Sequence, residues 1–365
     1  MENNKKIALL TNMITPYRVP FFNELSKKVK KLDILTCVDR EVDRQWEIKK
    51  SQDYNIIPLA GITLNLSKGS DAKRILHFRY GIIWYLLRHR PDTLIIGDAS
   101  WTSFIAGLFC KIFLIKYIVW NEITTSSKVS LGFVARLRRL LYKGAKHCIA
   151  SCQMAHNYLI NNGIPENRIS IVNNAVDNDY FLEKKNLLKH NREYFRSKLR
   201  IAPNSYTFIY VGQLISRKKV VETVEAIAKL SKSKNVHLII AGTGPLETEM
   251  VRKAKEMNFD NITFCGYANQ ERLCKLYIAS DALILLSEDE PWGMVINEAL
   301  LFELVIYASY SVSAAVELQY TCEAINILEN SNQEIKINNI EKDLTDRMSC
   351  IPTPTYMVKQ FLNEI

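Results

Sequence analysis

Short apolar runs alternate with stretches whose apolar residues recur at three- and four-residue spacing along most of this chain. In the second half, residues 207–214, 236–241, 261–265, 282–286 and 304–308 read as strands. Between them VETVEAIAKL, LETEMVRKAKEM, ERLCKLYIAS and MVINEALLFE carry helical periodicity. Alternation of this kind predicts parallel strands joined by crossover helices. The first half repeats the theme: IALLTN, LDILTCV, DTLIIGD, KYIVWNE, HCIASC and RISIVNN read as strands, with FFNELSKKVK and GIIWYLLRHR as helices.

Two doubly wound α/β halves follow from this pattern, and 365 residues suit two cores better than one. The first domain is expected over residues 1–178 and the second over 205–350. A stretch rich in Lys, Asn and Arg lies between them, so residues 179–204 are expected to be a linker and hinge. The closing PTYMVKQFLNEI, within 351–365, is expected to form a helix that packs back on the first domain. Ligands of such sheets gather at the carboxyl ends of the strands, so the expected place for chemistry is a cleft between the two domains.

Composition narrows the class without choosing a function. A hydrophobic content of 48% with 24% charged residues fits a chain that folds along nearly all its length. The apolar N-terminal run is broken at Thr11 and Asn12, so it reads as a first strand rather than a leader. The most apolar stretch, 104–120, is interrupted by Lys111 and Lys116 and falls short of the roughly 20 apolar residues of a membrane span. Eight scattered cysteines, with only Cys148 and Cys152 close together, suggest reduced structural thiols, and six histidines show no metal spacing. No metal and no cofactor are expected. The net charge of +10 suits an anionic partner, but nucleic acid, anionic lipid and diphosphates all satisfy it.

The most informative segment is SEDEPWGMVINEALLFE, which follows the strand-like DALILL and leads into a helix. Pro291 and Gly293 allow a tight turn, and a helix starting near Met294 and Val295 presents unpaired N–H groups and the positive end of its dipole. A diphosphate suits that place. Glu290 in the loop and Glu298 in the helix are spaced to accept hydrogen bonds from sugar and ribose hydroxyls. The plain alternative makes Glu290 a solvated loop residue and Glu298 an exposed helical one.

This segment resembles the E-x7-E region of family 4 glycosyltransferases, which have the two-domain GT-B fold. Glu290, Pro291, Trp292, Gly293, Val295, Glu298 and Ala299 fall on that motif, with Trp292 in place of the usual Phe, and the resemblance implies that Trp292, Gly293, Met294, Val295 and Glu298 contact the donor. The stretch FIYVGQLISRKKVVETVEAIAKL is similar to the family's phosphate-binding segment. The resemblance places Lys218 on the donor diphosphate, with Arg217 beside it. It departs in two places, with Gln213 where Arg is common and Lys219 where Gly follows the Lys; some relatives carry Gln at the first, and Gln213 is expected to border the donor with Arg217. AGTGPLETEM resembles the loop after the next strand; as a dinucleotide fingerprint it fails, because Glu247 occupies the third glycine position. FCGYANQ matches the segment whose Gly266 and Tyr267 border the nucleobase.

In the first half, ASCQMAHNYLINNGIPENRISIVNNAVDNDYF resembles the end of the family's first domain. TNMITPYRVPFFNEL resembles glycosyltransferases of surface-polysaccharide assembly, which carry a PYR-x-P-x-F loop after the first strand. That likeness implies an acceptor role for Tyr17 and Arg18. Glu122, in VWNEITTSS, falls where relatives place a polar acceptor-side residue and is a candidate catalytic group beside Glu290 and Lys218; Asp98 is a weaker candidate. FVARLRRLLYKGAKH sets Val134, Leu137 and Leu141 on a stripe beside Arg136, Arg138, Arg139, Lys143 and Lys146, a pattern open to anionic lipid or to a solvated basic face.

The resemblance implies a retaining glycosyltransferase that moves a sugar from a UDP- or GDP-sugar to a hydroxyl of a glycan. The acceptor it implies is a lipid-linked oligosaccharide of O-antigen or capsule assembly. It places the chain in the cytoplasm, peripheral on the membrane, with no nucleic-acid partner. After residue 302 the likeness falters: Glu303 and Val305 stand where Gly and Pro are usual, and YSVSAAVEL replaces glycines expected near the phosphates. Two rival readings therefore stand beside it, a noncatalytic sugar-nucleotide- or partner-binding member and a nucleotide-sugar epimerase.

Overall fold

A computed structural model describes residues 3–38, 53–65, 75–129, 132–329, 335–337 and 351–365. The chain forms two compact units, Met1–Val176 with Thr353–Ile365, and Asp177–Pro352.

Unit 1 is built on a seven-stranded parallel sheet. Its strands are β1 (Asn3–Thr11), β2 (Val29–Thr36), β3 (Asn55–Pro58), β6 (Thr93–Ile96), β7 (Lys116–Asn121), β8 (His147–Ala150) and β9 (Ile169–Ile171), in the order β3-β2-β1-β6-β7-β8-β9. β4 (Ile62–Asn65) and β5 (Ile75–Phe78) make a separate antiparallel pair. The order reverses direction between β1 and β6, so the loops that leave these two strands diverge over opposite faces. The C-terminal helix Pro354–Glu364 belongs to this unit: Phe361 packs at ring-centroid distances of 4.9 Å from Phe21 and 4.8 Å from Trp120. Thr353 caps its first turn, and Lys5 Nζ donates to the Ile365 carbonyl at 2.5 Å.

Unit 2 carries β10 (Tyr206–Val211), β11 (Val236–Ala241), β12 (Ile262–Gly266), β13 (Ala282–Leu285), β14 (Val305–Ser309) and β15 (Ile325–Leu328). All pairings are parallel, in the order β12-β11-β10-β13-β14-β15, with the reversal between β10 and β13. β11 is buried at every position, as expected of a strand covered on both faces, and its sequence VHLIIA is apolar apart from His237, whose Nε2 lies 2.8 Å from Thr263 Oγ1.

The stretch expected to be a hinge is instead an integral part of unit 2. It folds as helices Asn178–Leu188 and Arg192–Lys198. Arg192 bonds the carbonyls of Ile278 and Ser280 and pairs with Asp281 at 2.7 Å, while buried Arg196 bonds Thr207, Ala279 and Ser205. Composition misled here because these cations dock against carbonyl oxygens and a carboxylate rather than water.

Candidate functional site

The reversal between β10 and β13 brings together two loops that are far apart in sequence. After β10, the turn Ser216–Lys218 leads into helix Val220–Leu230; after β13, residues 286–293 lead into helix Met294–Leu301. The carboxylate of Glu290 is ion-paired with the Lys218 ammonium, and both side chains are largely buried. Ser287, itself buried, also directs its hydroxyl toward Glu290, at 3.4 Å. Arg217 remains exposed and donates to the Asp289 carbonyl at 3.0 Å, while the Arg217 carbonyl accepts from Glu288 N–H at 2.8 Å.

The other side of the Glu290 loop is held by the segment that replaces the expected glycines. Glu290 N–H donates to Ser311 O at 3.2 Å, Ser313 N–H to Glu290 O at 3.2 Å, and Ala314 N–H to Trp292 O at 2.8 Å. Gly293 is required at the end of this loop. Its φ is 96°, and a Cβ there would sit 3.2 Å from both Glu290 Cγ and Val312 Cγ1. The helix that follows has no side-chain cap at its N-terminus, so the half-buried Met294 and Val295 contribute first-turn N–H groups next to the Lys218–Glu290 pair.

Trp292 does not stand at a binding surface. It is buried, and its indole N–H donates to Asn297 Oδ1 at 2.9 Å, which fixes the loop to the helix from inside. Its expected role as a donor-contacting residue is therefore replaced by a packing one; a ring larger than Phe fills the core and needs a polar partner for its N–H. Glu298 is likewise not an exposed helical residue. It is buried and accepts from the Tyr277 hydroxyl at 2.7 Å, and burial pushes its carboxyl up to about 7 against the lowering effect of that bond.

Two departures from the family pattern keep the backbone shape that glycine supports. Lys219 has φ 53° and Glu303 φ 64°, both left-handed. Glu303 occupies the left-handed position of a helix-ending motif in which Glu303 N–H donates to Leu300 O and Leu304 N–H to Ala299 O. Each side chain gains an ion pair there: Lys219 with Glu222 at 2.9 Å and Glu288 at 2.7 Å, Glu303 with Lys185 at 2.5 Å.

Gln213 is half-buried, and its carbonyl accepts from the buried Tyr210 hydroxyl at 2.8 Å. Its loop is packed against AGTGP: Leu214 N–H donates to Thr243 O at 3.0 Å, and a Cβ on Gly242 would lie 1.8 Å from Gly212 O. The AGTGP glycines thus serve a close approach of two backbones. Gly266 has φ 63° at the end of β12, Tyr267 is exposed, and Arg272 donates to the Tyr267 carbonyl at 3.2 Å.

In unit 1, Arg18 and Glu122 meet. The Arg18 guanidinium carbon lies 3.6 Å from the centroid of a Trp120 ring, and its Nη2 is 2.6 Å from Glu122 Oε1. Buried Asn174 completes the cluster, donating to Glu122 Oε1 at 2.6 Å and accepting from Arg18 Nη1 at 3.1 Å. Tyr17 is half-buried beside Arg18. Asp98 accepts from Ser100 N–H and Ser103 Oγ, which steadies the N-cap Ser100 of helix Trp101–Ile112. Asn174, Tyr277 and Ser287 were not singled out from the sequence. Asn174 lies in ISIVNNAV, where only its burial shows its use. No group of three or more His, Cys, Asp or Glu side chains suited to a metal ion occurs among the described residues.

Residues 191–347 match the family model described as Glycosyl transferases group 1, so unit 2 carries a glycosyltransferase group 1 domain. N-acetyl-alpha-D-glucosaminyl L-malate synthase of Bacillus anthracis is 27% identical over 137 residues, 37% of this chain and 34% of that protein. The chain matches only about a third of the length of its curated relatives, 35% and 34%. Among solved structures, Anabaena Alr3699/HepE bound to UDP and glucose superposes with a TM-score of 0.66 at 14% identity, covering 99% of this chain and 95% of that one. WaaG, a glycosyltransferase involved in lipopolysaccharide biosynthesis, gives 0.61 at 15% identity, with 98% and 92% covered. These likenesses establish the GT-B fold of two Rossmann-like units.

Proposed function

We propose that this protein is a retaining glycosyltransferase that moves a sugar from a UDP- or GDP-sugar to a hydroxyl of a glycan. The observation that carries the reading is the meeting of Lys218 and Glu290, 72 positions apart, where the strand order of unit 2 reverses and a helix begins without a side-chain cap. A cation, a carboxylate and free helix N–H groups in one place match the parts of a sugar nucleotide: diphosphate, sugar hydroxyls and leaving-group charge.

In this scheme Lys218, assisted by Arg217 and the amides of Met294 and Val295, neutralises the nucleoside diphosphate as the bond from the sugar C1 to its phosphate oxygen breaks. Glu290 holds the sugar hydroxyls and Glu298 the ribose, while Gln213, Gly266 and Tyr267 border the rest of the nucleotide. The acceptor oxygen bonds to C1 on the face the diphosphate leaves, and its proton passes to the departing phosphate. The charge is carried by protein groups, so the scheme needs no metal. Support for a UDP-sugar comes from Alr3699/HepE, which was solved with UDP and glucose.

The acceptor we propose is a lipid-linked oligosaccharide of surface-polysaccharide assembly, met by Tyr17 and Arg18 of unit 1. The PYR-x-P-x-F loop supports it, as does the likeness to WaaG. Transfer assays with a panel of UDP- and GDP-sugars test the reading, with Lys218→Ala and Glu290→Ala as controls. Loss of transfer in both variants is expected; undiminished turnover in both removes the assignment.

A further inference from the structure

Unit 1 buries a cation that no carboxylate neutralises. Arg79, 8% exposed, follows β5 and leads into helix Gly81–His89. Its backbone is held by the wholly buried Thr102, whose Oγ1 accepts from Arg79 N–H at 3.0 Å and donates to the His77 carbonyl at 3.2 Å. The side chain runs past Gly61, where a Cβ would lie 2.8 Å from Arg79 Cδ, so this turn keeps a space for it. At the tip, Arg79 Nη2 donates to Thr63 Oγ1 at 2.7 Å, and His77 Nδ1 lies 3.1 Å from that hydroxyl and 3.5 Å from Nη2. A guanidinium can only donate, so the imidazole nitrogen that faces it is an acceptor and adds no positive charge of its own. A hydroxyl and an imidazole thus orient the guanidinium without neutralising it, and its Nε is buried with no hydrogen-bond partner.

The missing negative charge is not supplied nearby. Residues 55–65 and 75–90 contain no Asp or Glu, and Arg79 makes no ion pair among the described residues. Asp98 is within electrostatic reach: burial pushes the Cys37 thiol up to about 12, with Asp98 raising it and Arg79 lowering it. That carboxylate nevertheless stays on Ser100 N–H and Ser103 Oγ. Arg196 of unit 2, equally buried, shows the ordinary solution, bonding Thr207 and the carbonyls of Ala202, Ser205 and Ala279. An unpaired buried charge destabilises a fold, so one that is given room and held in a fixed orientation calls for a partner from outside the chain. Thr63 is exposed, which opens the tip of Arg79 to solvent. Thr102, 3.9 Å from Cys37 Sγ, sets the cluster at the carboxyl ends of β2 and β6, beside the reversal of the unit 1 sheet, where ligands of such sheets gather.

We propose that Arg79 anchors an oxyanion site in unit 1 that takes a phosphate group, approached from the Thr63 side. Phosphate oxygens match the forked N–H groups of a guanidinium and bring the charge that the cluster lacks. The group is either a free ion or a substituent of a sugar acceptor; the second source rests on the glycosyltransferase reading, whereas the site itself does not.

The test is thermal unfolding and calorimetric titration of the full chain with inorganic phosphate, glucose and glucose 6-phosphate. Wild type is compared with Arg79→Met, Arg79→Lys and Lys218→Met. Phosphate is expected to raise the melting temperature of wild type and of Lys218→Met, which lacks the unit 2 cation, and Arg79→Met should weaken its binding by about tenfold or more. Without phosphate, Arg79→Met is expected to melt no lower than wild type, because it exchanges an unpaired buried charge for an apolar side chain; a purely structural arginine moves the other way. Arg79→Lys keeps the charge and loses the fork, so it should bind phosphate more weakly than wild type even if Arg79→Met does not fold. Glucose 6-phosphate held about tenfold more tightly than phosphate, with glucose unbound, identifies a sugar-borne group; equal affinities identify the free ion. Absence of phosphate binding in wild type, unchanged affinity in Arg79→Lys, or binding that survives Arg79→Met and disappears in Lys218→Met overturns the proposal. Loss of sugar transfer without any of these results bears on the reaction alone.

Discussion

The Lys218 ammonium and the Glu290 carboxylate are ion-paired with each other, both largely buried, at the reversal of the unit 2 sheet. A donor bound as proposed has to exchange this pair for its own groups, diphosphate for Lys218 and sugar hydroxyls for Glu290. The pair holds each partner in place and limits the cost of leaving either one desolvated and alone. Removing one partner strands the other charge, a loss of about 3 kcal/mol. Lys218→Met and Glu290→Gln are each expected to lower stability by roughly that amount, and the double variant by less than the sum. Denaturant unfolding of the four proteins measures the coupling; strictly additive losses show that the two groups do not depend on each other.

Glu298 ties stability to pH in a predictable direction. Its carboxyl stands at about 7 in the folded chain and near 4.5 when exposed, so the folded state binds the extra proton between those values. The stabilisation is complete below pH 4.5 and is lost as pH rises toward 7, on the order of 3 kcal/mol at most. Glu298→Gln should flatten the melting temperature over pH 5 to 7.5. Ribose hydroxyls that donate to Glu298 favour its charged form, so UDP affinity should rise across the same window in the wild-type chain and not in Glu298→Gln. Calorimetric titration over that range decides, and a wild-type affinity independent of pH takes the ribose away from Glu298.

Glu303 and Lys219 occupy left-handed backbone positions where the family has glycine. A Cβ in that conformation costs about 1 kcal/mol, offset by the Glu303–Lys185 and Lys219–Glu288 ion pairs. Both Glu303→Gly and Glu303→Ala lose the ion pair with Lys185, but Glu303→Gly removes the backbone strain whereas Glu303→Ala keeps it. Glu303→Ala is therefore expected to melt below Glu303→Gly, by a difference of roughly 1 kcal/mol. The ion-pair loss is common to both variants, so the reverse order in thermal unfolding shows that the left-handed backbone carries no cost at this turn.

The strands and helices of unit 2 were legible because buried parallel strands read as apolar runs and their covering helices as clean periodicity, as in β11 and Val220–Leu230. β3, β4, β5 and β15 were not, being four-residue strands without such contrast; β3 and the β4–β5 pair are largely open to water. Residues 179–204 were misread because Arg192 and Arg196 look solvated in sequence and are docked in structure. In the candidate site, motif spacing singled out Lys218, Glu290, Gly293 and Glu298, of which the structure pairs Lys218 with Glu290. It did not reveal that Trp292 points inward to Asn297, that Tyr277 holds Glu298, or that Asn174 joins Arg18 to Glu122, since each depends on a partner distant in sequence or on burial.

Arg18 tests whether the unit 1 cluster acts on the acceptor or holds the fold. Its guanidinium lies over Trp120 while one nitrogen bonds Glu122 and another bonds Asn174, a geometry that needs a flat, forked cation. Lysine keeps the charge and loses the fork and the stacking, so Arg18→Lys should destabilise by about 2 kcal/mol. Glu122→Gln retains an oxygen for both Arg18 and Asn174 and should cost about 1 kcal/mol. A holding role for Glu122 then predicts a lowered melting temperature with kcat nearly unchanged once the protein is folded, and Tyr17→Phe should alter acceptor KM alone. If Glu122→Gln instead cuts kcat by a hundredfold with its melting temperature intact, the carboxylate's charge is used in the reaction and its bond to Arg18 positions it for that purpose.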